Sequence, residues 1–306
     1  MKSISKPVII ATSAALAVTG IGVYAWREEH RPPILEVYVF SLPSGRSMFV
    51  RTPEDKRILI DGGSNSNIIR EITGILPFYS RRIDSVIATN AEGKNISGLI
   101  DVLERYQIGE AYIPGQILQT LGISSSTDQI YSTFLDTLSR EGIHTSELSA
   151  GDSVALDQKT SLRPLFPVPA KQFTYSKASA PEILFNVSFG ATSIVFLGNA
   201  SNKVQKFLTS PPSTGSLTSS GVDQADVLIV SHSALPANVS PELIKKISPA
   251  YLVYSKTLDR EGTKKKIIPD PFAYLSEDRK FNLKESGTVK ITSDGATVQI
   301  KKARRP

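Results

Sequence analysis

Cysteine is absent from this chain of 306 residues. Its absence excludes disulfide bonds, thiolate zinc sites and a thiol nucleophile. A chain without free thiols fits an oxidising compartment better than a reducing one, because thiols are readily oxidised there. P-loop, G-x-G-x-x-G and G-x-S-x-G motifs are also absent. Phosphate-binding loops and nucleophile elbows built on those motifs are therefore excluded.

The overall composition is that of a globular protein with a basic surface. Hydrophobic residues make up 40% and charged residues 21%, which is enough to bury a sizeable core. The net charge of +6 favours polyanionic partners such as nucleic acid or anionic lipid. Two basic clusters, at 264–266 and 301–305, could contact phosphates non-specifically. The alternative interpretation is that these charges are simply solvated.

The amino terminus carries a long uncharged and largely apolar run, residues 7–26. A helix of that length spans about 30 Å, the thickness of a bilayer's hydrocarbon core. We therefore predict a short tail at 1–6, a single-pass transmembrane signal-anchor helix at 7–26 and a linker at 27–33. The domain at 34–304 would lie outside the cytoplasm. A cleaved signal peptide, with a small-residue site at 23–25, is the alternative interpretation.

Hydrophobic periodicity predicts strands first, then strands alternating with helices, then strands again. Ser66 is a candidate N-cap, and Gly142 is predicted to end a helix. The pattern indicates an α/β domain with two mixed sheets between helices. The predicted strands are 34–42, 47–51, 57–60, 85–89, 111–114, 153–156, 161–165, 183–189, 193–197, 226–230, 251–254 and a pair within 280–302. The predicted helices are 67–76, 96–106, 128–140, 202–208 and 241–247.

The stretch 87–99 follows a buried strand and leads into a helix. Loops at the carboxyl end of such strands usually carry the chemistry of an α/β domain. This loop nevertheless contains no histidine, no cysteine and no aspartate. Its position is typical of an active site, whereas its residue types are not.

Several landmarks in register resemble the metallo-β-lactamase fold family, and most closely the soluble hydrolase-like domain of ComEC-type proteins of competence DNA uptake. The resemblance implies a four-layer αββα sandwich over residues 35 to about 300. The landmarks are I-L-I-D-G-G at 58–63, R-I-D-S-V-I-A-T at 82–89, V-F-L-G-N-A at 195–200, A-D-V-L-I-V-S-H-S at 225–233, S-P-E-L at 240–243 and I-T-S-D-G at 291–295.

The chain departs from that family where the family binds two zinc or manganese ions. The family loop H-x-H-x-D-H is replaced by two amides, one carboxylate and one ammonium, and the G-x-G-D turn reads P-S-G-R at 43–46. Amides are poor ligands for transition metals, and an ammonium repels a dication. We therefore expect no metal cofactor and no catalytic residue. The vestigial metal-site positions are Asp61, Asn90, Glu92, Lys94, Asn95, Asn199 and His232.

Each of these residues also has a simpler interpretation. Asp61 is typical of a turn residue before two glycines. His232 can be interpreted as a hydrogen-bonded remnant of the metal site. Glu92 and Lys94 fit a solvated charged loop. A sharper hypothesis is that Lys94 replaces the lost cation and pairs with Asp61 or Glu92.

The sequence thus favours a membrane-anchored pseudo-hydrolase that serves as a binding or scaffolding module. Its partner would be DNA or an envelope protein of an uptake apparatus. The alternative is a metal-dependent nuclease or phosphoesterase with one metal held by Glu92, His232 and Asp61. A purely structural domain is the third possibility.

Overall fold

A computed structural model describes residues 33–77, 79–115, 126–176, 180–210, 222–230, 239–255 and 270–303. The chain divides into two units, residues 1–33 and residues 34–306, and the elements described below belong to the second. The predicted anchor at 7–26, the basic cluster at 264–266 and His232 lie outside the described residues. Within the ranges just given, no helix is long and apolar enough to cross a membrane. The anchor therefore stays a prediction.

The described residues form two mixed sheets. The first has the order β15-β14-β1-β2-β3-β4-β5-β6, with β3 to β6 parallel and the remaining neighbours antiparallel. Its strands are β1 (Leu35–Val39), β2 (Met48–Arg51), β3 (Arg57–Ile60), β4 (Arg82–Ile87), β5 (Gln107–Pro114), β6 (His144–Leu148), β14 (Val289–Ser293) and β15 (Val298–Lys302).

The second sheet has the order β13-β12-β11-β10-β9-β8-β7. Strands β10 to β13 are parallel and β7 to β10 antiparallel, so this sheet too is mixed. The predicted hairpin joins β9 to β10 at Gly190, whose φ is +59°. The strands are β7 (Val154–Ala155), β8 (Thr160–Phe166), β9 (Leu184–Phe189), β10 (Thr192–Phe196), β11 (Val227–Val230), β12 (Tyr251–Tyr254) and β13 (Lys280–Asn282).

Helices cover the outer face of each sheet. Three pack on the first sheet, namely α1 (Asn67–Thr73), α2 (Gly93–Leu103) and α3 (Ser126–Arg140). Two pack on the second sheet, namely α4 (Asn202–Thr209) and α5 (Pro241–Ile247). A short α6 (Leu283–Ser286) precedes β14. A third apolar cluster, with residues of both sheets such as Val37 and Phe185, fills the space between them. The predicted two mixed sheets between helices are confirmed, and the four layers are consistent with the αββα sandwich.

Several helix termini differ from the sequence prediction, and α1 ends at Thr73 and α2 at Leu103, each three residues before its predicted end. Ser66 holds the predicted N-cap position of α1, but its side chain makes no capping hydrogen bond, and Asn65 Oδ1 accepts from the Asn67 N–H at 3.0 Å. Helix α2 begins at Gly93, three residues before the predicted start at Ile96. Gly142 ends α3 with a φ of +66°, as predicted.

Candidate functional site

The candidate site lies where β3 and β4 end. Because these strands are parallel neighbours, their carboxyl ends meet at one edge of the first sheet. Asp61 directly follows β3, and its N–H donates to the Ile87 carbonyl of β4 at 2.8 Å. Its φ of +57° is unusual for a residue other than glycine and turns the chain sharply. The buried side chain of Asp61 is thereby held beneath the loop that follows β4.

A buried guanidinium occupies the centre of this site. The Arg46 Nε atom donates to Asp61 Oδ2 at 2.7 Å, and Arg46 Nη2 lies 2.6 Å from Glu182 Oε1. Arg46 Nη2 also donates to Thr89 Oγ1 at 2.5 Å. The side chains of Arg46, Asp61 and Glu182 are 9%, 1% and 11% exposed. We call Arg46, Asp61, Thr89 and Glu182 the Arg46 cluster.

Thr89 completes the hydrogen bonding of Asp61. The backbone N–H of Thr89 donates to Asp61 Oδ1 at 2.8 Å, and its hydroxyl donates to Asp61 Oδ2 at 2.6 Å. Together with Arg46, these groups give the carboxylate three hydrogen bonds. A buried charge with that many donors is well compensated.

The Arg46 cluster connects the two sheets. Glu182 lies two residues before β9 of the second sheet, and its Oε1 atom accepts from the Asn199 N–H at 3.1 Å. Asn199 lies just beyond β10. The Ile183 N–H donates to the Thr89 carbonyl at 2.7 Å, which adds a backbone bond between the sheets. The guanidinium of Arg46 also lies 5.1 Å from the centre of the Phe196 ring.

The cluster contains two carboxyl groups and one guanidinium. Burial alone would lower the pKa of Arg46, but the charges of Glu182 and Asp61 raise it, so the guanidinium stays charged. Burial raises the pKa of Asp61 and of Glu182 above the ordinary carboxyl value, although Arg46 opposes that rise. The cluster therefore favours uptake of a proton by one of its acids.

The loop after β4 and the first turn of α2 hold four of the predicted site residues. Asn90 Oδ1 accepts from the Glu92 N–H and from Asn95 Nδ2, each at 3.1 Å. Asn95 Nδ2 also donates to Glu92 Oε2 at 3.2 Å, and its carbonyl accepts from the Gly62 N–H at 2.7 Å. The two amides thus hold the loop together through hydrogen bonds with their own neighbours.

Lys94 pairs with Glu92 at 3.0 Å, but the two side chains are 43% and 44% exposed. Of the two partners predicted for Lys94, Glu92 is therefore correct. Asp61 is wrong, because Arg46 and not Lys94 contacts that buried carboxylate. Sequence reasoning noted the altered turn at 43–46 without assigning Arg46 a role. It missed Glu182 altogether, although an acid directly before an apolar strand was the available signal.

The donors present do not fit a dinuclear zinc or manganese centre. Asp61 directs its carboxylate at Arg46 and Thr89, and the neighbouring positions offer neutral amides at Asn90 and Asn95. Within the described ranges, no group of three or more His, Cys, Asp or Glu side chains could hold a metal. The buried acids of the Arg46 cluster are instead paired with the Arg46 guanidinium.

No protein-family model matches the chain, and no curated protein matches it. Among solved structures it is similar to Zn(2+)-bound PqqB from Methylobacterium extorquens, with 13% identity, 69% of this chain and 74% of that one covered, and a TM-score of 0.43. It is also similar to a mutant of the β-hydroxylase CmlA, with 11% identity and a TM-score of 0.45. That match covers 83% of this chain and 52% of CmlA, so this chain spans about half of CmlA's length. A third similar structure is MEM-A1, a subclass B3 metallo-β-lactamase from a soil metagenome library, with 12% identity and a TM-score of 0.41. That match covers 63% of this chain and 75% of MEM-A1. Likeness at these scores carries no argument about function.

Proposed function

We propose that this chain is a metallo-β-lactamase-fold protein, related to ComEC-type domains, that has exchanged its metal centre for an internal ion cluster. It acts as a membrane-anchored binding or scaffolding module rather than as a hydrolase. The landmarks in the sequence and the four-layer arrangement of two mixed sheets support the fold assignment. Residues 7–26 supply the anchor, and the partner is DNA or an envelope protein.

The observation that carries this proposal is the Arg46 guanidinium buried against Asp61 and Glu182. It supplies positive charge at the edge of the sheet where the resemblance expects metal ions. A dication entering beside it would meet a like charge at low dielectric. Metal binding would therefore require Arg46 to leave, and its departure would break two buried ion pairs.

The alternative, a hydrolase with one metal, needs ligands from Asp61 and Glu92 together. Asp61 is committed to Arg46 and Thr89, whereas Glu92 lies at the surface with Lys94. The two carboxylates thus belong to different ion pairs. The side-chain geometry supports the metal-free module over the one-metal enzyme.

Metal analysis of the purified full chain tests the proposal. After incubation with zinc or manganese and dialysis, we expect much less than one ion per chain. We also expect neither ion to raise the melting temperature, since a ligand that binds the folded state stabilises it. Stoichiometric metal, together with metal-dependent cleavage of a phosphodiester, would establish the one-metal hydrolase instead.

A further inference from the structure

The outer face of α4 and α5 carries a concentration of positive charge. Both helices bury their apolar residues on the second sheet, so their charged residues point away from it. Lys203, Lys206 and Lys245 are exposed, and Lys246 is half-buried. Glu242 is the only acid within these two helices. We call these four lysines the lysine face.

The two helices are fixed to each other, so the lysines form one surface. The Ser240 N–H, at the start of α5, donates to Gln205 Oε1 of α4 at 2.8 Å. Lys246 Nζ donates to the Leu208 carbonyl of α4 at 3.0 Å. On α4, Lys203 and Lys206 are three residues apart and therefore neighbours on one side of the helix.

The charge of the lysine face is not neutralised by the described part of the chain. Elsewhere, cations such as Arg51, Lys280 and Lys290 pair with carboxylates. None of the four lysines has a carboxylate of a described residue within ion-pair distance. Lys203 Nζ donates to the Thr174 carbonyl and lies 4.7 Å from the centre of the Phe173 ring, and Lys246 Nζ donates to the Leu208 carbonyl, so neither ammonium is paired with an acid of the described residues. Such a surface attracts a polyanion and releases its counterions on binding.

An exposed aromatic ring lies at one end of the lysine face. The Tyr274 hydroxyl donates to the Pro249 carbonyl, two residues beyond α5, at 3.3 Å. The residue is 56% exposed, so its ring offers a flat surface to a ligand. Aromatic rings beside a basic track are how proteins hold single-stranded nucleic acid without reading its sequence. Exposed aliphatic side chains, which would enter a bilayer, are absent from the described residues of α4 and α5.

We propose that the lysine face binds the sugar-phosphate backbone of single-stranded nucleic acid, with a base stacked on Tyr274. The inference rests on the proposed function, because it gives the binding module a partner of defined chemistry. It locates that partner on the second sheet's outer layer, away from the Arg46 cluster.

The test measures binding of a labelled single-stranded oligonucleotide of mixed sequence to the full chain in neutral detergent, across a series of salt concentrations. Four phosphate contacts give a slope of log K against log salt of about −3. The variant K203Q/K206Q/K245Q/K246Q should bind about tenfold more weakly or worse at low salt, with a slope near zero. The control K56Q/R70Q/R81Q/K159Q removes the same charge from exposed positions elsewhere and should keep most of the affinity and slope. Equal losses in both variants would overturn the proposal.

Two further variants keep the test valid if the fourfold variant does not fold. K206Q/K245Q changes only exposed lysines and should remove about half of the salt slope. Y274A should weaken binding about fivefold or more through lost stacking, whereas Y79A, which removes the other large exposed ring, should not. Unchanged binding in K206Q/K245Q, or equal effects of the two tyrosine variants, would contradict the proposal.

A bilayer is the competing partner. The same variants are therefore tested against empty phosphatidylserine nanodiscs. Loss of nanodisc binding with retained oligonucleotide binding would overturn the proposal in favour of lipid. Metal content is measured on the same samples. Bound metal refutes the proposed function, whereas failed oligonucleotide binding without metal refutes only the lysine face.

Discussion

Arg46 is the residue on which the candidate site depends. Its planar guanidinium has several N–H donors in a fixed arrangement, which suits it to bind Asp61, Thr89 and Glu182 together. A lysine at this position would have the charge but not the geometry. The cost of burying this many polar atoms is offset only while all partners remain in place.

Arg46→Met is therefore expected to destabilise the fold by about 3–5 kcal/mol, because it leaves two buried carboxyl groups without their cation. Urea denaturation followed by circular dichroism measures the loss. Arg82→Met serves as the control, since Arg82 is 67% exposed and its pair with Asp84 contributes under about 1 kcal/mol. Similar losses in the two variants would show that the Arg46 cluster is not a strong constraint on the fold.

Glu182 should make stability depend on pH in a definite direction. Burial raises its pKa in the folded state, although Arg46 and the Asn199 N–H lower it, and the nearby charges of Asp61 and Glu92 raise it further. The folded state therefore holds the proton more tightly than the unfolded state. The stabilisation this provides is complete below the unfolded pKa of about 4.3 and is lost as pH rises through the folded pKa.

Comparison of the wild type with Glu182→Gln isolates this contribution, since glutamine does not titrate. The wild-type free energy of unfolding minus that of the variant should fall as the pH is raised from about 4 towards neutrality. Denaturation curves of both proteins at each pH provide the difference. A difference that stays constant or grows with pH would contradict a raised pKa of Glu182 in the folded state.

At the scale of elements, a loop and the start of a helix meet at the site and fix each other. The loop between β1 and β2 packs its Gly45 against the Lys94 carbonyl in the first turn of α2. A Cβ atom on Gly45 would lie 1.7 Å from that oxygen, and the φ of Gly45 is +74°. Only glycine satisfies both conditions. This contact positions Arg46, the next residue along the chain, over Asp61.

Gly45→Ala should therefore destabilise the protein by more than about 3 kcal/mol, since strain and overlap combine. Gly142→Ala is the matched control, because Gly142 also has a positive φ but has nothing within 4 Å of its Cβ position. Strain alone should cost the control about 1 kcal/mol. Thermal denaturation of the two variants separates the effect of steric overlap from that of backbone strain. Equal losses of stability would contradict the close approach of Gly45 to the Lys94 carbonyl.

Local patterns predicted most elements because their signals lie within a few residues. The spans of β3, β12 and α5 agree with the prediction, since β-branched runs and the Ser-Pro start of α5 are strong local signals. The start of α2 was wrong because Gly93 and Lys94 belong to no apolar stripe. Ser66 takes the predicted N-cap position, but its ψ of −1° is not the extended conformation of a capping residue, and its side chain makes no capping hydrogen bond.

At the scale of the whole molecule, the anchor predicted at residues 7–26 would hold the domain at a membrane surface. Residues 7–26 contain no charged side chain, and the full chain should remain in the membrane fraction after carbonate extraction. Leu16→Arg together with Val18→Arg should release it, because each arginine near the middle of the span costs about 2.5–3.5 kcal/mol. Leu16→Val with Val18→Leu keeps the span apolar and should not. Full release of the unmodified chain would refute the anchor.

The sequence by itself determined most elements, their alternation and the residue types of the loop after β4, because periodicity and residue type are local properties. Only the tertiary structure decided which charged groups meet at that edge of the sheet. Arg46, Asp61 and Glu182 belong to distant segments, and they meet because two sheets close over one apolar core. The same holds for the lysine face, which exists because α4 and α5 pack side by side on the second sheet. Charge pairing depends on distance in space, and a pattern along the chain does not contain that distance.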